Sequence, residues 1–510
     1  MMDSEYRALR PRIGDPLLDS TDRFYIPPGL FSGCYTVPHW LLPPLQRLSV
    51  FAANTFRHIL GHLGIIHEPT FRLADVHAWV AFALCTAGGN RPYRTQNAEI
   101  EDEPWDAVQS IVRTEKTGMF VRLFSQPVKV RAKEALAGIH ALLIYNSHSF
   151  LSDDPSERAV GELFLNTIAK IARRVGLFDP HADFVNNDYN PYDDVESEWQ
   201  RWIRREGCRR TSWLIYFLET VAAFENMRPP LVGACDVKHL PIPAAHSAWK
   251  ATTSRAWASF MPPPPAMPFT LDSVMDKLFD FSVTAADGSP APPCFLDVYE
   301  LGPFARLVMI VTLTRGIVEF GEGKQMGGYL VSRWILGERG AGDDRLQYDA
   351  TSPAFSLQII DILHKALGRW KIGWDYDMAC ELEHSRRETR DHRPQHPQPE
   401  TKYFIHDAMP FWWMSHLLLS HLSTVIDHQS NAPSAFYVGI TPITDVHDSH
   451  EPGRRSQPIP WGRSGEYVSC GERDCGVCRS IEPTVFICFR DMVFLFLFLF
   501  LSCLFACIQT

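Results

Sequence analysis

The amino-acid sequence predicts an all-α protein: a large multi-helix domain with Pro-rich loops and irregular N- and C-terminal segments. Three observations carry this. From Phe51 to about Ile426 the apolar residues recur mostly at the i, i+3, i+4 spacing of a helix face. Period-two alternation bounded by turn residues is hard to find in the same span. Residues 76–87 (VHAWVAFALCTA) are apolar nearly all round, which marks a helix inside a helical domain.

The clearest single element is 155–176. Asp154 is placed to cap it, Pro155 suits the first turn, and Glu157 sits three residues after the cap. Val160, Phe164, Ile168, Ile171, Ala172 and Val175 form one stripe, charged and polar residues fill the other side, and Gly176 closes it. The 76–87 helix has Asp75 as its cap and Gly88-Gly89 as its stop. Further helices are expected at 104–124, 132–146, 195–226, 298–320, 355–372 and 404–426. Between them, MPPPPAMP at 261–268 reads as a polyproline spacer and ADGSPAPP at 286–293 as a loop. The charged, His- and Pro-rich stretch from Glu381 to Lys402 reads as a mobile excursion. The expected organisation is an irregular arm over 1–50, a helical domain over 51–426, and a disordered tail over 427–510.

Composition bounds the function. With 45% hydrophobic and 21% charged residues the chain is globular, and a net charge of −10 argues against a surface that grips phosphates by itself. Six cysteines stand singly (Cys34, Cys85, Cys208, Cys235, Cys294 and Cys380), as small buried thiols do in a reducing compartment. The other six fall from Cys470 onward. Three of them, Cys470, Cys475 and Cys478, have C-x4-C-x2-C spacing, with Cys488 ten positions on, but they lack the distant fourth ligand of a plant-type iron–sulfur protein. Met492 to Ile508 is an apolar run with four successive Phe-Leu pairs. Translation of a pyrimidine-rich non-coding stretch gives such a run; as genuine protein it would be a short tail anchor.

Signatures of catalysis fail one by one. Gly321-Glu322-Gly323-Lys324 has Val318 where a phosphate loop needs its first glycine and Gln325 where it needs Ser or Thr. His67-Glu68 starts like a zinc-protease helix, yet Pro69 breaks it and Phe71 replaces the second ligand. No G-x-S-x-G elbow exists. His406, Asp407, His416 and His421, read as lying in one helix with Trp412 and Trp413, do not stack three ligands on one face, so they read as packing histidines. Arg201, Arg204, Arg205, Arg209 and Arg210 could make a basic face or an import signal. Asp193, Asp194, Glu196, Glu198 and Glu206 neutralise it, and Trp199, Trp202, Ile203 and Trp213 need burial. No catalytic, cofactor or metal residues emerge, and an enzyme is the least expected class.

The motifs, taken in order, resemble the fungal-specific transcription factor domain (the middle homology region of xylanolytic-activator type), in the version found with Cys/His zinc fingers. The likeness begins at Phe56 and at Leu63 to Phe71 (LGIIHEPTF), and continues through Ala135 to Tyr145 and Thr167 to Phe178. Its most specific part is Glu206 to Trp213 (EGCRRTSW) with Phe217-Leu218-Glu219, then Met227 to Leu231 (MRPPL) and Leu240-Pro241. Tyr403 to Leu422 resembles the family's late helix. The chain departs in having Met227 where Gly is usual before Arg-Pro, and Glu219 in place of Asp.

The resemblance implies a nuclear regulator of RNA polymerase II transcription. Its motif residues Glu206, Arg209, Arg210, Trp213, Glu219, Arg228 and Pro229 would be structural, the arginines pairing with acids to hold helices in register. No C-x2-C-x6-C cluster or paired Cys/His finger precedes residue 50. The resemblance therefore places zinc and DNA binding in a module missing from this chain. Either the start is truncated or this is an orphan helical interaction module. Expected partners are DNA through that module, transcription co-regulators or a small effector, with a homodimer as a further option. A membrane is not expected unless 492–508 is a genuine anchor.

Overall fold

A computed structural model describes residues 22–27, 30, 45–87, 132–150, 155–180, 194–226, 228–260, 269–280, 299–321, 328–335, 353–391 and 404–431. Among them the fold is all-α, without a strand; a lone antiparallel bridge joins Pro241 to Thr270. The helix expected at 104–124, the spacers at 261–268 and 286–293, and everything beyond 431 lie outside the described residues.

Helix α1 (Leu45–Thr55) winds on through a wide turn, Phe56–Leu60, and a last turn, Gly61–Leu63. Its first residues fall within the stretch read from composition as an arm. Gly64 ends it with φ of 62°, a left-handed residue that accepts no side chain cheaply: a Cβ there would lie against Ile405. Helix α2 (Ala78–Ala87) is buried from Trp79 to Thr86 and packs between α1 and α3 (Ala132–Phe150), as its all-round apolarity predicts. Its start differs from the expectation. Leu73–Asp75 is a separate 3-10 turn, and the His77 Nδ1 accepts from the Trp79 N–H at 3.2 Å where Asp75 was expected to cap.

Helix α4 (Pro155–Arg174) begins at its proline and closes through Leu177 N–H to Ala172 O at 2.9 Å, around Gly176. Its buried stripe includes Leu165, Ile168, Ala169, Ile171 and Ala172, but Val160 is about half exposed (48%). The stripe therefore engages one turn later than the spacing suggested.

Helix α5 (Val195–Glu225) is capped by Asp194, whose side chain accepts from the Ser197 N–H at 2.9 Å. After it come α6 (Ala234–Val237), α7 (His246–Trp249), α8 (Ser254–Phe260) and α9 (Leu271–Phe279). Helix α10 (Pro303–Gly321) starts at a proline, later than the expected 298, and is buried from Pro303 to Val318. Such a helix can only be central. It packs on α5, on α12 (Pro353–Asp391) and on α13 (Met409–Asn431); α11 (Gly328–Leu330) with the turn Val331–Ile335 closes one end.

Two expectations are corrected at the C-terminal side. Helix α12 does not stop at 372 but runs to Asp391, so the charged stretch from Glu381, read as a mobile excursion, starts as helix. The 404–426 helix is broken: Phe404–His406 is a 3-10 turn, Asp407 accepts from the Met409 N–H at 3.2 Å, and α13 begins there.

One buried ion pair is not revealed by the sequence. Arg306 on α10 and Asp377 on α12 are both buried, with Nε to Oδ2 at 3.0 Å. Asp377 also accepts from the Gly302 N–H at 2.9 Å and the Leu301 N–H at 3.3 Å, satisfying the start of α10. Breaking a buried pair from one side strands a charge. Asp377→Ala is therefore expected to cost about 3–5 kcal/mol in urea unfolding. The double substitution Arg306→Met/Asp377→Leu should recover a large part of that loss.

Candidate functional site

The family-type residues meet on one side of α5. Glu206 is fully buried and its carboxylate is met three times: by Arg209 at 2.6 Å, by Arg210 Nε at 2.9 Å, and by the Ala244 N–H at 2.8 Å. Arg210, 1% exposed, donates in turn to Ala244 O at 3.0 Å and lies 4.4 Å from the Trp249 ring. Glu206 and Arg210 thus grip both polar groups of one peptide residue, Ala244. The short helix α7 begins two residues later, so the pair fixes where His246 and Trp249 stand. Trp213 is buried and donates to Pro241 O at 2.8 Å, holding the preceding part of the same connection.

A second knot ties α5 to α4. Glu219 is fully buried and its Oε2 accepts from Arg228 at 3.3 Å and from the Leu231 N–H at 3.0 Å. Arg228 reaches Glu162 at 2.5 Å and Asn166 at 3.1 Å on α4. Pro229 is exposed; its carbonyl accepts from Arg228 at 3.3 Å. Ser212 donates to Leu177 O at 2.9 Å, anchoring the Gly-Leu-Phe end of α4. Of the remaining arginines, Arg204 and Arg205 face solvent. Trp199 is buried with Ala248, Ala251 and Trp257 in a small cluster that Trp202 and Ile203 flank.

Above α7 the chain leaves a small cleft, open to solvent, with a cavity volume of about 40 Å³. Phe56, Gly64 and Ile66 wall it on one side; Arg210, Trp249 and Lys250 line the other. His246 and His406 lie at its edge with ring centroids 4.3 Å apart, edge to face. Burial, helped by neighbouring Lys250 and Arg210, holds His406 down to about 3 and His246 well below the ordinary imidazole range. Both rings are therefore neutral at pH 7.

This corrects the reading of His406, which does not share a helix with His416 and His421. It sits on its own turn before α13, while His416 packs against Trp412 (4.3 Å) and His364 (5.5 Å). His67, the aborted protease-like motif, bonds Thr70 at 2.8 Å and packs edge-on against Trp199 and Trp249. Gly321 ends α10, and Lys324 lies outside the described residues. The sequence missed the cleft because its lining comes from α1, α5, α7 and the 404–406 turn, which no local pattern connects.

With this geometry in place, comparison with protein families matches residues 53–283 to the fungal specific transcription factor domain. The match covers a little under half of the chain. No curated protein and no solved structure matches the chain. The fungal domain accounts for α2 to α9 and all the motif residues on α5, and it is a regulatory rather than catalytic family. Helices α10, α12 and α13 lie beyond the matched residues, yet α10 packs on α5 and all three pack on one another.

Two outcomes follow. Glu206→Ala leaves the buried Arg210 without its carboxylate and is expected to lower stability by about 3–5 kcal/mol, measured by urea unfolding. The second concerns His140, whose Nε2 lies 2.8 Å from Thr211 Oγ1. Enclosure of its ring holds it down from 6.5 to about 4. An unfolded chain takes up this proton near pH 6.5, whereas the folded one does not until about pH 4. Stability present at pH 7 is therefore lost as the pH falls through that window, by up to about 2 kcal/mol at pH 5. His140→Gln should remove that share of the pH dependence in urea midpoints compared at pH 7 and pH 5.

Proposed function

We propose that this chain is the regulatory part of a fungal zinc-finger-type transcription factor that acts in the nucleus on RNA polymerase II genes. It would reach DNA through a zinc-bearing module and respond to a small effector or a co-regulator. The observation that carries this reading is the match of residues 53–283 to the fungal specific transcription factor domain. The cleft supports the effector part. Its aromatic and apolar walls with a few polar groups have the make-up of small-ligand sites, and at about 40 Å³ it would admit a small group as it stands. The motif residue Arg210 bounds it, and its floor is held by the buried Glu206.

A ligand bound there would touch α1, α5, α7 and the 404–406 turn together. Its differential affinity for two arrangements of these elements would shift the balance between silent and active states. The arginine pairs play no chemical part in this scheme: they keep the elements in register so that the cleft has one shape.

The test is a reporter gene driven by the full chain fused to a foreign DNA-binding domain, assayed over a range of growth conditions. Transcription is expected to change by at least about fivefold under some condition, the lower end of ordinary allosteric coupling. Trp249→Ala, in the cleft wall, should abolish that response while the fusion remains at normal abundance. A fusion that is abundant and silent under every condition would count against a regulatory role.

A further inference from the structure

We propose that His246, His406 and Glu381 form a zinc site beside the cleft. The three ligand atoms all lie within 4.8 Å of one another, and they come from three separate elements: α7, the 404–406 turn and α12. The Nε2 of His246 is buried, makes no hydrogen bond, and stands 3.9 Å from Glu381 Oε1. A buried polar nitrogen without a partner costs free energy unless something meets it.

Two imidazoles and one carboxylate are a donor set that suits Zn²⁺, and three protein ligands leave a fourth position for water or another ligand. Around a tetrahedral zinc with bonds of about 2.0–2.1 Å, ligand atoms sit roughly 3.4 Å apart. Each side chain therefore has to move inward by less than about 1 Å, within the reach of small χ rotations.

The scaffold for this site is already built. Asp377 on α12 holds the Leu301 and Gly302 amides, and Glu381 stands one helical turn further along the same face. Gly302, with φ of 88°, approaches Ala245 and His246 so closely that a Cβ would lie 3.1 Å from the His246 backbone nitrogen. From the other side, Glu206 and Arg210 fix Ala244. His246 is thus positioned by both buried ion pairs. Lys250 and Arg210 add positive charge nearby, which the Arg210–Glu206 pairing offsets in part and which the Glu381 carboxylate would counter at the ion. The ion would tie α7, inside the matched domain, to two elements beyond it. This is separate from regulation: the chain could control transcription with no metal here, or bind the metal without regulating.

The test uses the purified full chain with Cys470, Cys475, Cys478, Cys488, Cys503 and Cys507 changed to Ser, so that tail thiolates do not contribute. After chelator treatment, Zn²⁺ and Co²⁺ alone are the probes. One equivalent of Co²⁺ is expected, with a visible spectrum of nitrogen and oxygen ligation and no thiolate charge-transfer band. Zn²⁺ should raise Tm. His246→Ala and His406→Ala should each abolish binding. Glu381→Gln, at a one-third exposed side chain, should keep the helical circular dichroism and weaken binding by at least about tenfold. Failure of the six-serine chain to bind metal would overturn the site, as would undiminished binding in folded Glu381→Gln. Reporter output from the fusion is scored independently, so loss of one result leaves the other standing.

Discussion

Glu206 has no access to water, yet it carries a carboxylate in the middle of a helical body. That single constraint orders much of the surrounding structure. A desolvated charge is tolerated only where geometry and hydrogen bonding meet it. Here they are supplied by Arg209 and Arg210 from the next turn of α5 and by the Ala244 amide from a distant connection. The first two partners are local and would exist in any helix with this spacing. The third is not. It converts a helical ion pair into a clamp on the segment that leads into α7, and the position of Trp249 and His246 follows from it.

The same device recurs with different parts. Glu219 is buried and holds both Arg228 and the Leu231 amide; Asp377 is buried and holds both Arg306 and the start of α10. In each case an acid inside a helix bonds at least one arginine and one or more backbone amides of a loop. An apolar contact could have stabilised these junctions as well, but it would not specify which loop residue must sit against the helix. In a fold with no sheet among its described residues to impose register, the acids supply it.

How much of this was legible in the sequence depends on the distance over which the signal acts. The all-round apolarity of 76–87, the proline and glycine bracketing α4, and the acid–arginine spacing on α5 are local, and each corresponds to an observed element. That Arg209, Arg210 and Arg228 pair with acids such as Glu206 and Glu219 was expected from the motif, but which acid each arginine takes was not. Arg306 and Asp377 were invisible because they lie 71 positions apart on helices whose packing angle no pattern encodes. Val160 misled because it continues a stripe that the neighbouring helices do not cover. His406 misled for the opposite reason: helical spacing with His416 was assumed across Asp407, which instead starts a new helix.

The boundary of the matched domain bears on what kind of object this is. Residues 53–283 end with α9, but the fully buried α10 follows, and α5 packs against it through Tyr216 and Thr312 at 3.1 Å. Arg315 on α10 donates to Val232 O at 3.0 Å, inside the matched range. A helix buried on every side cannot be added to a finished surface; removing it would expose the apolar flank of α5 to water. Its contacts, and those of the 404–406 turn at the cleft, mean that the matched residues and the helices after them share one core. A ligand in the cleft would therefore touch both at once, since the walls of the cleft are drawn from the two sides of that boundary.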